Sequence, residues 1–390
     1  RSLRTGAPSP PEVAATVRDA GCVVVRNTVG AGVALDMKVA TKQHIAANRE
    51  RLAGFPNDKP QVWDVYWARQ QLEMRQHPHV LATQTALNRL WHCSALPGSD
   101  GQLAVDVHRP VTYCDRLRIR LPGDSSFTLG PHVDGGSTER WEDDAYRRVY
   151  EDILSGDWER YDAFDATHRA GANQMLGSVK VGACSVFRTF QGWVSLSNSG
   201  KGRGALQLVP MLREATAFLM LRPFLKDVLP SSFCGANPGK TQDLYPEFHQ
   251  KVIDGMVPIP DVGPGDSVWW HCDLIHAVEG TNGGSEDNSA YYIPAAPLCL
   301  RNAEYLRGQG QSLVDGRTPP DFPPNNYEVE SVGGGTPEDL SGQGASAMGL
   351  ATWPEECVEG GTEEDLLATR ALRQECRGIL SGKGVAAGGA

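Results

Sequence analysis

Pro131-His132-Val133-Asp134-Gly135-Gly136 is the stretch on which the fold and the chemistry of this chain turn. In a strand, residues i and i+2 point to the same face, so His132 and Asp134 can reach one point together. An imidazole nitrogen and a carboxylate oxygen, joined by a second and distant His, make the facial triad that holds non-haem Fe(II). Three protein ligands on one face leave positions open for a co-substrate and for O2. Alone, such a pair is more often an ordinary surface or core pair. It needs a partner His from another strand of a β-rich fold.

The partner lies in Pro264-Gly-Asp-Ser-Val-Trp-Trp-His271-Cys-Asp-Leu-Ile-His276. Pro-Gly-Asp reads as a turn and Ser267–Trp270 as a strand, with a His beyond its exit. His276 is assigned as the third ligand, because the turn, strand, loop, His order places it at an open barrel mouth. His271 is then a hydrogen-bonded wall residue. His132 and His276 are 144 residues apart, a separation that an insert between strands would explain.

Composition agrees with a β-rich core. The chain has 390 residues, 40% hydrophobic and 22% charged, enough for a sizeable core. Its 43 Gly and 26 Pro favour turn-rich β architecture over a helical bundle. A net charge of −10 argues against a general nucleic-acid or anionic-membrane surface. Any anionic substrate must instead be caught by a few placed Arg or Lys residues. No apolar run approaches the ~18 residues of a membrane helix. Nine cysteines without a CxxC pair suggest neither a zinc ribbon nor a redox dithiol. Reduced thiols in an intracellular, cytoplasmic setting are expected, although a start at Arg1 leaves room for a removed targeting peptide.

Three regions are expected. Residues 1–100 form a mixed, mainly helical extension that packs on the core. It holds a surface segment over 1–20, a buried strand over Gly21–Arg26 and helices over Val33–Asn48 and around Val80–Trp91. Residues 101–300 are the β core, with strand candidates at Val111–Leu121, Phe127–Val133, Ala183–Leu196, Ala205–Val209, Ser267–Trp270 and Ala290–Pro294. A helix carrying Tyr146, Val149, Tyr150 and Ile153 interrupts them, and Leu229–Pro246 reads as a loop or lid. Residues 301–390 are a Pro- and Gly-rich extension. It ends in a helix opened by Thr362-Glu-Glu-Asp365, followed by a frayed tail over 384–390. The fold class is α+β.

Taken with the strand Gly204-Ala-Leu-Gln-Leu-Val-Pro210, the motifs resemble the double-stranded β-helix dioxygenases of the phytanoyl-CoA hydroxylase type. More closely, the chain resembles the YbiU-like family. The matching blocks include Asp115-Arg-Leu-Arg-Ile-Arg120, Pro131–Ser137, Glu139-Arg-Trp141, Phe187-Arg-Thr-Phe-Gln-Gly-Trp193, Trp270-His-Cys-Asp273 and Tyr292–Pro297. The resemblance covers roughly residues 20–350. It implies a jelly-roll barrel with flanking helices, binding Fe(II) through His132, Asp134 and His276. It also implies an enzyme that uses 2-oxoglutarate and O2 to oxidise a C–H bond of a small soluble molecule. The outcome would be hydroxylation, desaturation or oxidative cyclisation.

One departure matters. Many such enzymes place an Arg about ten residues after the distal His to clamp the far carboxylate of 2-oxoglutarate, and here that position is Glu286. Arg188, inside the apolar Val186-Phe-Arg-Thr-Phe190 run, is the first candidate for the clamp, and Arg120 is the next. The alternative is that these arginines pair with Asp115, Asp124 or Glu139. Gln191, Trp193, Trp269 and Trp270 either line the pocket or belong to the core. Two rivals stay open. One is a cupin-like metal hydrolase or isomerase without redox chemistry, and the other a non-catalytic barrel serving as a sensor or interaction protein.

Overall fold

The computed structural model describes residues 11–94, 103–174, 184–229, 232–324, 331–353 and 363–382. The strands, in chain order, are β1 (Cys22–Val25), β2 (Gly54–Phe55), β3 (Val62–Trp63), β4 (Asp106–Val111), β5 (Leu117–Arg120), β6 (Leu129–Val133) and β7 (Phe190–Ser195). They continue with β8 (Leu206–Leu208), β9 (Gln242–Asp243), β10 (Val257–Pro258), β11 (Ser267–His271), β12 (His276–Val278), β13 (Asn288–Tyr292) and β14 (Ala296–Leu298). Helices and antiparallel sheets together make an α+β fold.

The strands are shared between two main sheets. A seven-stranded sheet runs β1-β11-β7-β13-β5-β3-β2, and a five-stranded sheet runs β10-β8-β12-β6-β9. β14 and β4 form a separate pair. From β5 to β8 the chain changes sheet at every strand, and it does so again from β10 to β13. Motifs remote in sequence are therefore brought onto neighbouring strands.

Burial explains the centre of the larger sheet. Every residue of β7 and of β11 is buried, as expected of strands covered on both faces. Gly192 faces Trp269 across the β7–β11 register. A Cβ at Gly192 would lie 2.3 Å from the Trp269 ring, so only glycine lets the indole lie flat on β7.

Several boundaries differ from those read in the sequence. The run expected as one strand over Val111–Leu121 is broken, with β4 before the break and β5 after it. The helix expected around Tyr146–Ile153 is two short helices, Asp144–Val149 and Glu151–Ser155. The segment expected as a loop over Leu229–Pro246 contributes β9, which pairs with the His132 end of β6. Pro11–Ala20 is a helix with Val13 and Val17 buried, not simply surface chain. Leu300–Asp315 is a long helix that its Gly and Gln content concealed. The expectations for residues 1–10, Ala183, Thr362 and 384–390 lie outside the described residues.

Candidate metal centre

His132 is the penultimate residue of β6 and His276 opens β12, and the antiparallel register sets the two residues directly opposite each other. Their ring centroids are 4.2 Å apart. Asp134 follows two residues after His132, with Oδ1 3.8 Å from His132 Nε2 and Oδ2 3.4 Å from His276 Nε2. Among the described residues these three form the one group of His, Cys or carboxylate donors close enough to share an ion, within 4.8 Å of one another.

The backbone decides which nitrogen each ring offers. His132 Nδ1 lies 2.7 Å from the Gly130 carbonyl, and His276 Nδ1 lies 2.9 Å from the Leu274 carbonyl. A carbonyl only accepts, so both Nδ1 atoms carry the proton and both Nε2 lone pairs turn toward Asp134. Burial, helped by the neighbouring His276, pushes the His132 pKa below its ordinary value. Burial opposes ionisation of Asp134, yet the close approach of His276 and then of His132 holds its carboxyl well below the usual carboxylate range. Two imidazoles, each with its Nδ1 held by a backbone carbonyl, and one carboxylate converge. That donor set fits Fe(II).

The turn after Asp134 is built to hold it. Gly135 and Gly136 both have positive φ, at 84° and 89°, a pair of left-handed residues that side chains resist. Arg140 donates to the Asp134 carbonyl at 2.8 Å, and Tyr146 donates to the Gly135 carbonyl at 2.8 Å. Arg140 is itself anchored on buried Asp273, which also accepts from Arg169, Tyr150 and Tyr161. Asp273 lies in the β11–β12 connection, so one buried carboxylate ties the turn that carries Asp134 to the connection that leads into His276.

His271 is a wall residue, apart from the triad. Its ring stacks on Trp91 at 4.7 Å and 3°, its Nε2 donates to the Ala163 carbonyl at 2.9 Å, and its Nδ1 accepts from the Asp273 backbone N–H at 3.0 Å. Burial lowers its pKa to about 3, so it stays neutral. His271→Ala should leave metal affinity unchanged while costing about 2–4 kcal/mol of stability, from the cavity and the two broken hydrogen bonds. A metal titration beside a denaturation curve checks both halves of that expectation.

The triad opens into a cavity of about 750 Å³. Its wall includes Arg116, Arg118, Arg188, Gln191, Trp193 and Trp270, with Phe55, Phe127 and Phe322 as apolar surface. Trp269 is outside this wall, packed under Gly192. Arg188 lines the cavity, half-buried, and makes no hydrogen bond or ion pair with any described residue. Arg120 does not line it. Its guanidinium is consumed by Asp124 at 3.0 Å and by the Glu279 and Gly280 carbonyls, as the alternative pairing allowed. Glu286 is exposed in the loop before β13.

Arg118 and Arg120 share one face in the sequence reading, which preferred Arg120, but it is Arg118 that lines the cavity. Arg118 alternates with Leu117 and Ile119 just as Arg120 does, but among the described residues no acidic side chain folds back to meet it. Its Nη2 donates to Asn288 Oδ1 at 2.8 Å, its guanidinium lies 5.7 Å from the Trp193 ring centre, and its buried Nε has no partner. Burial without a carboxylate pushes its pKa down, with Tyr292 opposing. The available signal was the absence of an Asp or Glu at the right spacing from Arg118. Asp124 supplies that partner to Arg120.

A family profile described as Gig2-like matches residues 3–350. The chain belongs to the Gig2-like family. This Gig2-like chain is 35% identical to the YbiU protein of Escherichia coli (strain K12) over 344 residues, covering 86% of this chain and 80% of that one. A crystal structure from Salmonella typhimurium LT2, of a protein provisionally named an oxidoreductase, is similar at 34% identity with a TM-score of 0.81. It covers 87% of this chain and 83% of that one. The GlcNAc Inducible Gene 2 structure from Candida albicans is similar at 28% identity with a TM-score of 0.84, over 97% of this chain and 83% of that one. Among the described residues, no helix of the Gig2-like chain is long and apolar enough to cross a membrane, and the cysteines described are free thiols.

Proposed function

We propose that this protein is an Fe(II)- and 2-oxoglutarate-dependent oxygenase that oxidises a C–H bond of a small molecule. The observation that carries the reading is the convergence of two imidazole Nε2 atoms and one carboxylate in the wall of a cavity that holds cations without a described carboxylate partner. The oxidoreductase name given to the Salmonella relative points the same way. The alternation of strands between two antiparallel sheets supports a double-stranded β-helix, the barrel that presents such a triad at one end. A net charge of −10 and a recessed cavity favour a small molecule over nucleic acid or a membrane surface.

His132, Asp134 and His276 would hold the metal, with the Gly130 and Leu274 carbonyls orienting the rings. Bound there, Fe(II) would supply activation of O2 coupled to decarboxylation of 2-oxoglutarate to succinate. Arg118 takes the far carboxylate of 2-oxoglutarate. It is 2% exposed, its charge meets no described carboxylate, and Asn288 and Trp193 fix its plane. Arg118 sits on β5, beside β13 in the sheet. It thus offers from the neighbouring strand the cation missing near Glu286. The aromatic and apolar wall excludes water from the reacting centre.

Anaerobic titration of Fe(II)-loaded protein with 2-oxoglutarate should produce the weak visible charge-transfer band of a chelate. Bound iron with no band would sink the reading. Arg118→Met should weaken 2-oxoglutarate by about 10–100-fold, the worth of a charge-assisted bidentate pair, and leave iron affinity unchanged. An unaltered 2-oxoglutarate affinity would remove Arg118 from this role.

A further inference from the structure

Once the ion pairs of the cavity are assigned, one guanidinium is left over, apart from the exposed ammonium of Lys240. Asp134 is committed to His132 and His276, and Asp115 accepts from Arg116 at both its backbone N–H and its Nε. Arg118 is taken by the co-substrate in the reading above. Arg188, on the approach to β7, has no hydrogen bond or ion pair to any described residue; its charge acts on Asp134, Asp115 and Asp321 without contact, and Asp321 accepts from Tyr113 and Ser185 instead. A half-buried guanidinium without an anion is expensive unless a ligand completes it.

Its surroundings ask for the same kind of ligand. Gln191 Nε2 and Trp270 Nε1 are buried in the wall and have no hydrogen-bond partner among the described residues. Both are donors, so the unmet demand of the wall is for acceptor oxygens. The space suffices for two ligands, since ~300–1,000 Å³ accommodates a drug-sized molecule and a five-carbon diacid fills only part of that. Depth assigns the two cations. Arg118 is buried against Asn288 of β13 and Trp193 of β7, whereas Arg188 is only half-buried and so more accessible to a second ligand.

We propose that the molecule oxidised here is a small organic acid whose carboxylate is held by Arg188, with Gln191 and Trp270 donating to it. This rests on the co-substrate reading, because that reading is what reserves Arg118. The aromatic wall adds a preference for an acid with an apolar or aromatic body.

The test uses the full chain loaded with Zn(II) and saturated with 2-oxoglutarate, so that no turnover occurs. Phenylacetate and its neutral counterpart phenylacetamide serve as probes, with dissociation constants measured by ligand-observed NMR. The acid should bind about tenfold or more tighter than the amide. Arg188→Met should bring the two together and leave 2-oxoglutarate affinity unchanged, and Arg188→Lys should keep part of the preference. The proposal is overturned if the probes bind wild type equally, if the acid does not bind, or if the preference survives in Arg188→Met. It is also overturned if Arg188→Met loses 2-oxoglutarate while Arg118→Met retains it, which would make Arg188 the clamp. Failure of wild type to bind 2-oxoglutarate sinks the co-substrate reading by itself. The acid-over-amide ratio, and its loss in Arg188→Met, are then read on the metal-loaded protein alone.

Discussion

Asp134→Ala is expected to fold normally and to bind Fe(II) more than about a hundredfold more weakly than the native chain. Loss of a group that only orients a ligand costs about 10–100-fold in metal affinity, so loss of a ligand must cost more. Folding survives because Asp134 stands just beyond the end of β6 and its side chain is only partly buried. Its backbone carbonyl, the acceptor for Arg140, also stays in place. Without the carboxylate, two buried imidazoles face each other with nothing to balance a dication. Anaerobic titration followed by competition with a chelator reads the affinity directly. Unchanged binding would place the metal elsewhere and remove the basis of the proposed chemistry.

The second large effect is on stability. Asp273→Ala is expected to cost about 3–5 kcal/mol, because it strands Arg140 and Arg169 as buried charges without a carboxylate. Burial opposes ionisation of Asp273, but Arg169 and Arg140 hold its carboxyl well below the ordinary range. The stabilisation it confers is therefore present above the unfolded carboxylate pKa and is lost as the pH falls toward the folded value. The same substitution frees Arg140, which holds the Asp134 carbonyl, so metal affinity should fall by about 10–100-fold as well. His271→Ala, next to the same network, should lose stability without that loss of affinity. Chemical denaturation and metal titration of both variants separate the two. Equal metal affinities would show that Asp273 supports the fold and not the site.

The triad was legible because period-2 alternation and a turn-strand-loop-His order are local patterns. His132, Asp134 and His276 could be named without knowing how β6 and β12 pair. The choice of cation was not legible in the same way. Arg118 and Arg120 share a strand and a face, and they differ only in whether Asp124 turns back upon one of them. That is a tertiary fact. The stretch around Leu229–Pro246 misled for a related reason. β9 is two residues long, too short to show a period, and it exists because β6 has a free edge there. Leu300–Asp315 was hidden by glycine and glutamine within the helix, where packing against β14 and the last helix outweighs weak intrinsic propensity.

His132 and His276 sit on paired strands yet are 144 residues apart along the chain. An ion that joins them closes a long loop, and it binds a site that does not exist in the unfolded chain. The free energy of unfolding then rises with the logarithm of free metal once the dissociation constant is exceeded, by about 2.7 kcal/mol at a hundredfold excess. Starvation for the metal would reach this protein first as a shorter lifetime against proteolysis, so its abundance would track metal supply before any question of turnover arises.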